Sequence, residues 1–173
     1  GMCLTNNENL AASLKQLRVH GESPKYYHKW IGLNSRLDSL QAAILSVKLK
    51  QLANWSEMRR KNADYYFEHL KDVPQIQLPA IHPKAKSIFN QFTLRAEKRD
   101  ALLDYLRKND IGCAVYYPLP LHVQECFAYL NHQKGDFPVS EKAAEQVISI
   151  PIYSELAEEQ LAFVAETIRK FYQ

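Results

Sequence analysis

The sequence predicts an α/β (α+β) chain in which a long helix leads into a small mixed sheet covered by helices. Three observations carry this expectation. Residues 36–70 contain neither glycine nor proline and repeat apolar residues at helical spacing. From residue 87 on, aromatic and β-branched runs alternate with leucines spaced three and four apart, in the order strand, helix, strand, helix, strand, helix. The 173 residues are 46% hydrophobic, enough for one buried core.

Leu10, Leu14 and Leu17 set a helical period over 8–19, stopped by His20-Gly21. Residues 22–35 read as loop: Pro24, Tyr26, Tyr27, His28, Trp30, Gly32, then Asn34-Ser35. Ser35 suits an N-cap and Asp38 the first turn, where a carboxylate meets the positive end of the helix dipole. The helix expected over 36–70 carries two apolar stripes, Leu37/Leu40/Ile44/Val47 and Leu45/Leu49/Leu52, so its first half should be buried on two sides. Its second half is polar, with Glu57–Lys61 and Arg60–Asp64 at helical pair spacing. Pro74, Pro79 and Pro83 hold an extended connection. Strands are expected over 87–95, 111–117 and 147–152, the last an edge because of Pro151. Helices are expected over 98–109, 122–130 (short), 138–147 and 155–172. Three segments follow: 1–35, a helix and loop; 36–70, the connecting helix; and 71–173, a small α/β domain.

Charge excludes some functions. Lys+Arg 22 against Asp+Glu 19 gives a net +3, scattered along the chain. The one tight basic run, Arg59-Arg60-Lys61, is followed by Asp64 and Glu68 at helical spacing and reads as a solvated helix face, not a nucleic-acid track. Cys3, Cys113 and Cys126 are odd in number and far apart, which suits neither a disulfide framework nor a zinc site and points to the reducing cytoplasm. No apolar run approaches the ~18 residues of a membrane span. His20, His69, His82 and His132 show no metal-ligand spacing.

Four blocks go further. The first is His20-Gly21, Tyr27-His28, then Gly32-Leu33-Asn34-Ser35-Arg36-Leu37-Asp38-Ser39-Leu40-Gln41-Ala42-Ala43-Ile44-Leu45. The second runs from Tyr116 to Gln124, with Tyr117, two prolines and His122. The others are Gly135-Asp136-Phe137-Pro138-Val139-Ser140-Glu141 and Ser149-Ile150-Pro151-Ile152-Tyr153. In this order and spacing they resemble the carboxy-terminal part of the DegT/StrS family of pyridoxal-phosphate-dependent nucleotide-sugar aminotransferases.

The resemblance implies a dimeric fold-type I enzyme: a cofactor domain, a connecting helix, then a small domain. It makes residues 1–35 the remnant of the cofactor domain. It places the Schiff-base lysine ahead of a segment like Met2-Cys3-Leu4-Thr5-Asn6, so no catalytic lysine is expected in this chain. Lys15, Lys25 and Lys29 lack its sequence context, and an ordinary lysine is a hydrated cation with pKa ~10.4.

Carried over residue by residue, Asn34 matches an asparagine that reaches across the dimer to the cofactor phosphate, a role a neutral amide donor can fill. Taken alone it reads as a turn or cap residue. Arg36 matches an arginine at the same corner, its fork suited to phosphate or carboxylate; an ion pair with Asp38 is the other reading. His122 is placed in the sugar-nucleotide pocket, with Tyr117 beside it; one of Tyr116 and Tyr117, alternating on a strand, should be core. Tyr27 and His28 are placed where they touch substrate from the partner subunit. The activity implied is transfer of an amino group from an amino-acid donor to a keto-sugar nucleotide. Open beside it are a related sugar dehydratase and a non-catalytic product or interaction module.

Overall fold

A computed structural model describes residues 2–173 of the chain; Gly1, first residue of the expected 1–35 segment, lies outside them. The chain divides into two units, 1–51 and 52–173.

The N-terminal unit is built on backbone, not on a core. Helix α1 (Glu8–Leu17) starts where the Asn7 side chain accepts the Leu10 N–H. The chain then folds back on itself through two antiparallel bridges, Val19 with Asn34 and Glu22 with His28. Gly21 makes this possible: its φ is +72°, and a Cβ there would lie 2.0 Å from the Trp30 carbonyl oxygen. Trp30 Nε1 donates to Gln16 Oε1 at 3.1 Å, tying the loop to α1. Helix α2 (Ser39–Leu49) follows. Its N-cap is Asp38, extended and making no side-chain cap bond, so the expected Ser35 cap and first-turn Asp38 are corrected. Ser35 instead donates its N–H to the Arg18 carbonyl.

No residue of α2 is buried, against the expectation of two covered stripes. Leu40 is 75% exposed and Val47 67%. Among the described residues of this unit only Gly21 is buried. The stripes are real, but nothing within the unit lies over them.

The expected single helix over 36–70 is two elements. A turn at Lys50-Gln51, where Gln51 N–H bonds the Lys48 carbonyl, separates α2 from α3 (Leu52–Leu70). Neither a glycine nor a proline marks it; the shift to a three-residue bond closes α2.

The C-terminal unit holds the core. Strands β1 (Ile76–Gln77), β2 (Phe92–Ala96) and β3 (Val147–Ile150) form one sheet in the order β1-β2-β3. Both pairings are antiparallel, so the sheet expected to be mixed is not. Phe92 faces Ile150 and Leu94 faces Ile148, and β2 alternates buried and half-buried residues as period two requires. On its half-buried face the Thr93 and Ser149 hydroxyls meet at 2.7 Å. Helices α4 (Arg99–Lys108) and α5 (Pro138–Gln146) pack against the sheet, α3 meets β2 through Tyr66 and Phe67 on Phe92, and α6 (Glu158–Phe171) packs on α3 and α4. Tyr66, Phe92, Leu102, Leu106, Ile148 and Ile168 are fully buried, and the phenylalanine, leucine and isoleucine side chains each contribute about 1.5–3 kcal/mol by their burial.

Two expected strands shrink. Residues 87–91 are irregular, with Phe89 at φ 45°. Residues 111–117 keep a single bridge, Ala114 with Ser149. Arg59, expected on a solvated face, is half-buried and donates to the carbonyls of Phe89, Asn90 and Ile152 at 3.3–3.4 Å. Those loop carbonyls have no ladder partner, and a guanidinium fork satisfies several at once. Arg60 pairs with Glu57, not Asp64.

Candidate functional site

Four of the sequence-chosen residues share the N-terminal loop. The two bridges hold the backbones of Asn34 and His28 in place. Asn34 stands four positions ahead of the Asp38 N-cap, so it does not cap the helix. Its side-chain amide is exposed and takes no partner among the described residues, free to donate outward. Arg36 is also exposed, 3.7 Å from the Asp38 carboxylate, a loose pair between two solvated side chains. The ion-pair reading is therefore present in the structure, and it leaves the outer donors of the fork open. His28 Nδ1 lies 3.0 Å from the His20 carbonyl oxygen, while Tyr27 is 70% exposed. The exposed amide, guanidinium, imidazole and phenol each carry a donor of the kind that an anion or a hydroxylated ligand accepts.

The other two candidates lie in the C-terminal unit. Tyr117 is exposed and its ring meets Tyr116 edge-on at 5.7 Å. Neither tyrosine is buried, which corrects the expectation that one is core: the segment is not a strand and so has no inner face. Tyr116 and Arg59 line a cavity of ≈ 440 Å³ with residues 112–114 and 149–153. A larger cavity of ≈ 550 Å³ lies along α6 and includes none of the sequence-chosen residues.

His122 stands in the segment between Leu119 and Glu141. It lies in a 3-10 turn, Leu121–Val123, followed by another, Glu125–Leu130. Its side chain is 8% exposed, with Nε2 3.0 Å from Glu141 Oε1. Glu141 also accepts the N–H groups of Gly135 and Phe137. These bonds, Gly135 foremost, hold its carboxyl below the usual glutamate value against the opposing effect of desolvation. The Phe137 ring lies 4.8 Å from the His122 imidazole and 5.0 Å from that of His132. His132 faces Asp136, whose carboxyl is lowered first by the Gln133 N–H. Glu141 escaped the sequence reading as a site residue. Its signal was present: an acid in the first turn of a helix entered through Gly-Asp-Phe-Pro meets unpaired N–H groups.

Every lysine among the described residues is exposed. No group of three or more histidine, cysteine, aspartate or glutamate side chains among them is arranged to hold a metal. Cys3, Cys113 and Cys126 are free thiols, and burial pushes the Cys113 thiol up. No described helix is long and apolar enough to cross a membrane.

The profile of the DegT/DnrJ/EryC1/StrS aminotransferase family matches residues 1–169. A pleiotropic regulatory protein of Geobacillus stearothermophilus is 46% identical over 100% of this chain and 47% of its own length. A UDP-N-acetyl-3-dehydro-alpha-D-glucosamine 3-aminotransferase of Acidithiobacillus ferrooxidans is 40% identical, covering 98% of this chain and 45% of its own. Among solved structures, S. venezuelae DesV in complex with a ketimine intermediate superposes with a TM-score of 0.89 at 35% identity, over 98% of this chain and 46% of that one. The chain spans about half the length of the curated relatives it matches.

Proposed function

Because this chain belongs to the DegT/DnrJ/EryC1/StrS aminotransferase family, we propose that it is the carboxy-terminal part of an enzyme that moves an amino group from an amino-acid donor onto a keto-sugar nucleotide. Relatives named for that chemistry act on UDP- and dTDP-linked sugars. The observation that carries the reading is the outward-facing Asn34 amide beside Arg36, on a loop whose backbone is fixed by the bridges of Val19 and Glu22. Two donors fixed in this way fit the phosphate of pyridoxal phosphate. That group supplies the electron sink of transamination when bound. The chain's own part is to hold the phosphate through Asn34 and Arg36 and to receive the sugar nucleotide through His122, Tyr117, Tyr27 and His28.

The same reading assigns this chain no covalent link to the cofactor. A lysine that carries a cofactor must be desolvated or set beside a cation so that its amine is free near neutral pH, and the lysines here are all exposed. The uncovered stripes of α2 supply the second half of the proposal. Leu40, Ile44, Leu45 and Val47 form an association surface for a second copy or a cofactor domain, as a dimer whose sites are shared would need.

The test uses a full-length enzyme carrying this segment. Asn34→Ala should weaken the cofactor by roughly 10- to 100-fold, the loss of one hydrogen bond to an anion, with little change in substrate KM at saturating cofactor. His122→Ala should do the reverse. If both variants lose only thermal stability, these are structural residues and the assignment fails.

A further inference from the structure

The loop from Leu119 to Glu141 is organised around one carboxylate. Glu141 Oε1 receives His122 Nε2 at 3.0 Å, the Gly135 N–H at 2.8 Å and the Phe137 N–H at 3.3 Å, while Oε2 takes the Gly135 N–H at 3.0 Å. Two backbone donors aimed at the same group favour its ionised form. An ionised carboxylate can only accept, so in the neutral imidazole the hydrogen must sit on Nε2 and the lone pair on Nδ1. Phe137 packs on the ring and fixes its plane. Nδ1 has no partner among the described residues. It is not a buried orphan either, since the one buried side-chain polar atom left without a partner among them is the Tyr66 hydroxyl. Nδ1 thus keeps access to solvent and is the atom through which His122 can meet a ligand.

We propose that Glu141 is a positioning residue that fixes His122 as the Nε2–H tautomer, so that His122 meets the sugar nucleotide as a hydrogen-bond acceptor and its partner there is a hydroxyl, not a phosphate oxygen. A phosphate oxygen would confront the Nδ1 lone pair with another; a hydroxyl donates to it. The inference rests on the reading that His122 lines the substrate pocket, and it narrows that reading to one chemical group.

The experiment has two parts. Long-range proton–nitrogen correlation on the labelled chain, at about pH 8 where an ordinary histidine is neutral, reads the His122 tautomer without any substrate. A pyridine-like Nδ1, a pyrrole-like Nε2 and a slowly exchanging Nε2 proton are expected. Glu141→Gln keeps the shape but can donate as well as accept, so the two nitrogen signals should move toward each other and the proton exchange faster. A hydrogen on Nδ1 in the unaltered chain, or an unchanged spectrum in the glutamine variant, overturns the assignment; should that variant misfold, the unaltered chain decides alone. In the full-length enzyme Glu141→Gln should raise the sugar-nucleotide KM by about 3- to 10-fold with kcat retained, the loss of one neutral hydrogen bond. Kinetics indifferent to His122→Ala would instead sink the pocket reading, and the hydroxyl assignment with it. A hydrogen on Nδ1 sinks only the assignment.

Discussion

The two units solve the problem of order differently. In residues 52–173 aromatic and aliphatic side chains are withdrawn from water: Tyr66, Phe92 and Leu106 are each 0% exposed. In the described part of 1–51 the order comes from hydrogen bonds and a glycine contact, while the apolar side chains face outward: Ile31 is 102% exposed and Leu40 75%. An apolar surface of that kind costs free energy in water, and on a soluble protein it usually marks a place where something else packs. The contrast teaches that one half of this chain buries its apolar side chains within itself, whereas the other leaves them in water. The proposed cofactor contacts lie in the half with the uncovered apolar face.

The sharpest way to break this contrast is one chemical change made twice. Leu106→Ala, in the core, should cost about 2–5 kcal/mol of unfolding free energy. Leu40→Ala, on α2, should stay within about 0.5 kcal/mol at concentrations where the chain sediments as a monomer. Equal costs in a denaturant titration would mean that α2 is covered after all. A smaller effect is expected from Gly21→Ala. The added Cβ meets the Trp30 carbonyl, and the backbone there is left-handed, a local strain of roughly 1–3 kcal/mol. Amide exchange at His20 and Leu33 should accelerate, with protection in β2 and β3 unchanged. Coupled loss in both units would show that they do not order independently.

The smallest effect is a pH dependence confined to the loop over 119–141. Glu141 has a folded pKa below its ordinary value, chiefly through the Gly135 N–H. Its contribution is therefore complete above the ordinary glutamate range and is lost as the pH falls through the depressed folded value. Exchange at Gly135 and Phe137 should quicken there before the core responds. In Glu141→Gln that acid-side change should disappear.

Much of the second unit was legible because its signals are local. The periods of Leu102, Leu106, Leu161, Val164 and Ile168 name helix faces that are buried as expected. The misses are long-range. Strand β1 is two residues long and exists only because Ile76 and Gln77 pair with Ala96 and Arg95. Residues 111–117 look like a strand by composition, yet only Ala114 finds a partner and both tyrosines remain in water. Arg59 read as a surface charge because the carbonyls it serves, at Phe89, Asn90 and Ile152, lie 30 to 93 positions along the chain. The candidate site divides the same way. Asn34 and Arg36 were found through the pattern around them, and their exposure agrees with an outward role. Glu141 was passed over because its importance lies in what converges on it, the His122 ring and two backbone N–H groups.

The central claim, that this chain lends donors to a cofactor site but does not carry the cofactor covalently, has one direct measurement. Purified chain is mixed with pyridoxal phosphate, reduced with borohydride and digested, and the peptides are mapped by mass. With every described lysine exposed, the account predicts at most sparse label scattered over several of them. Stoichiometric label on a single lysine would contradict it.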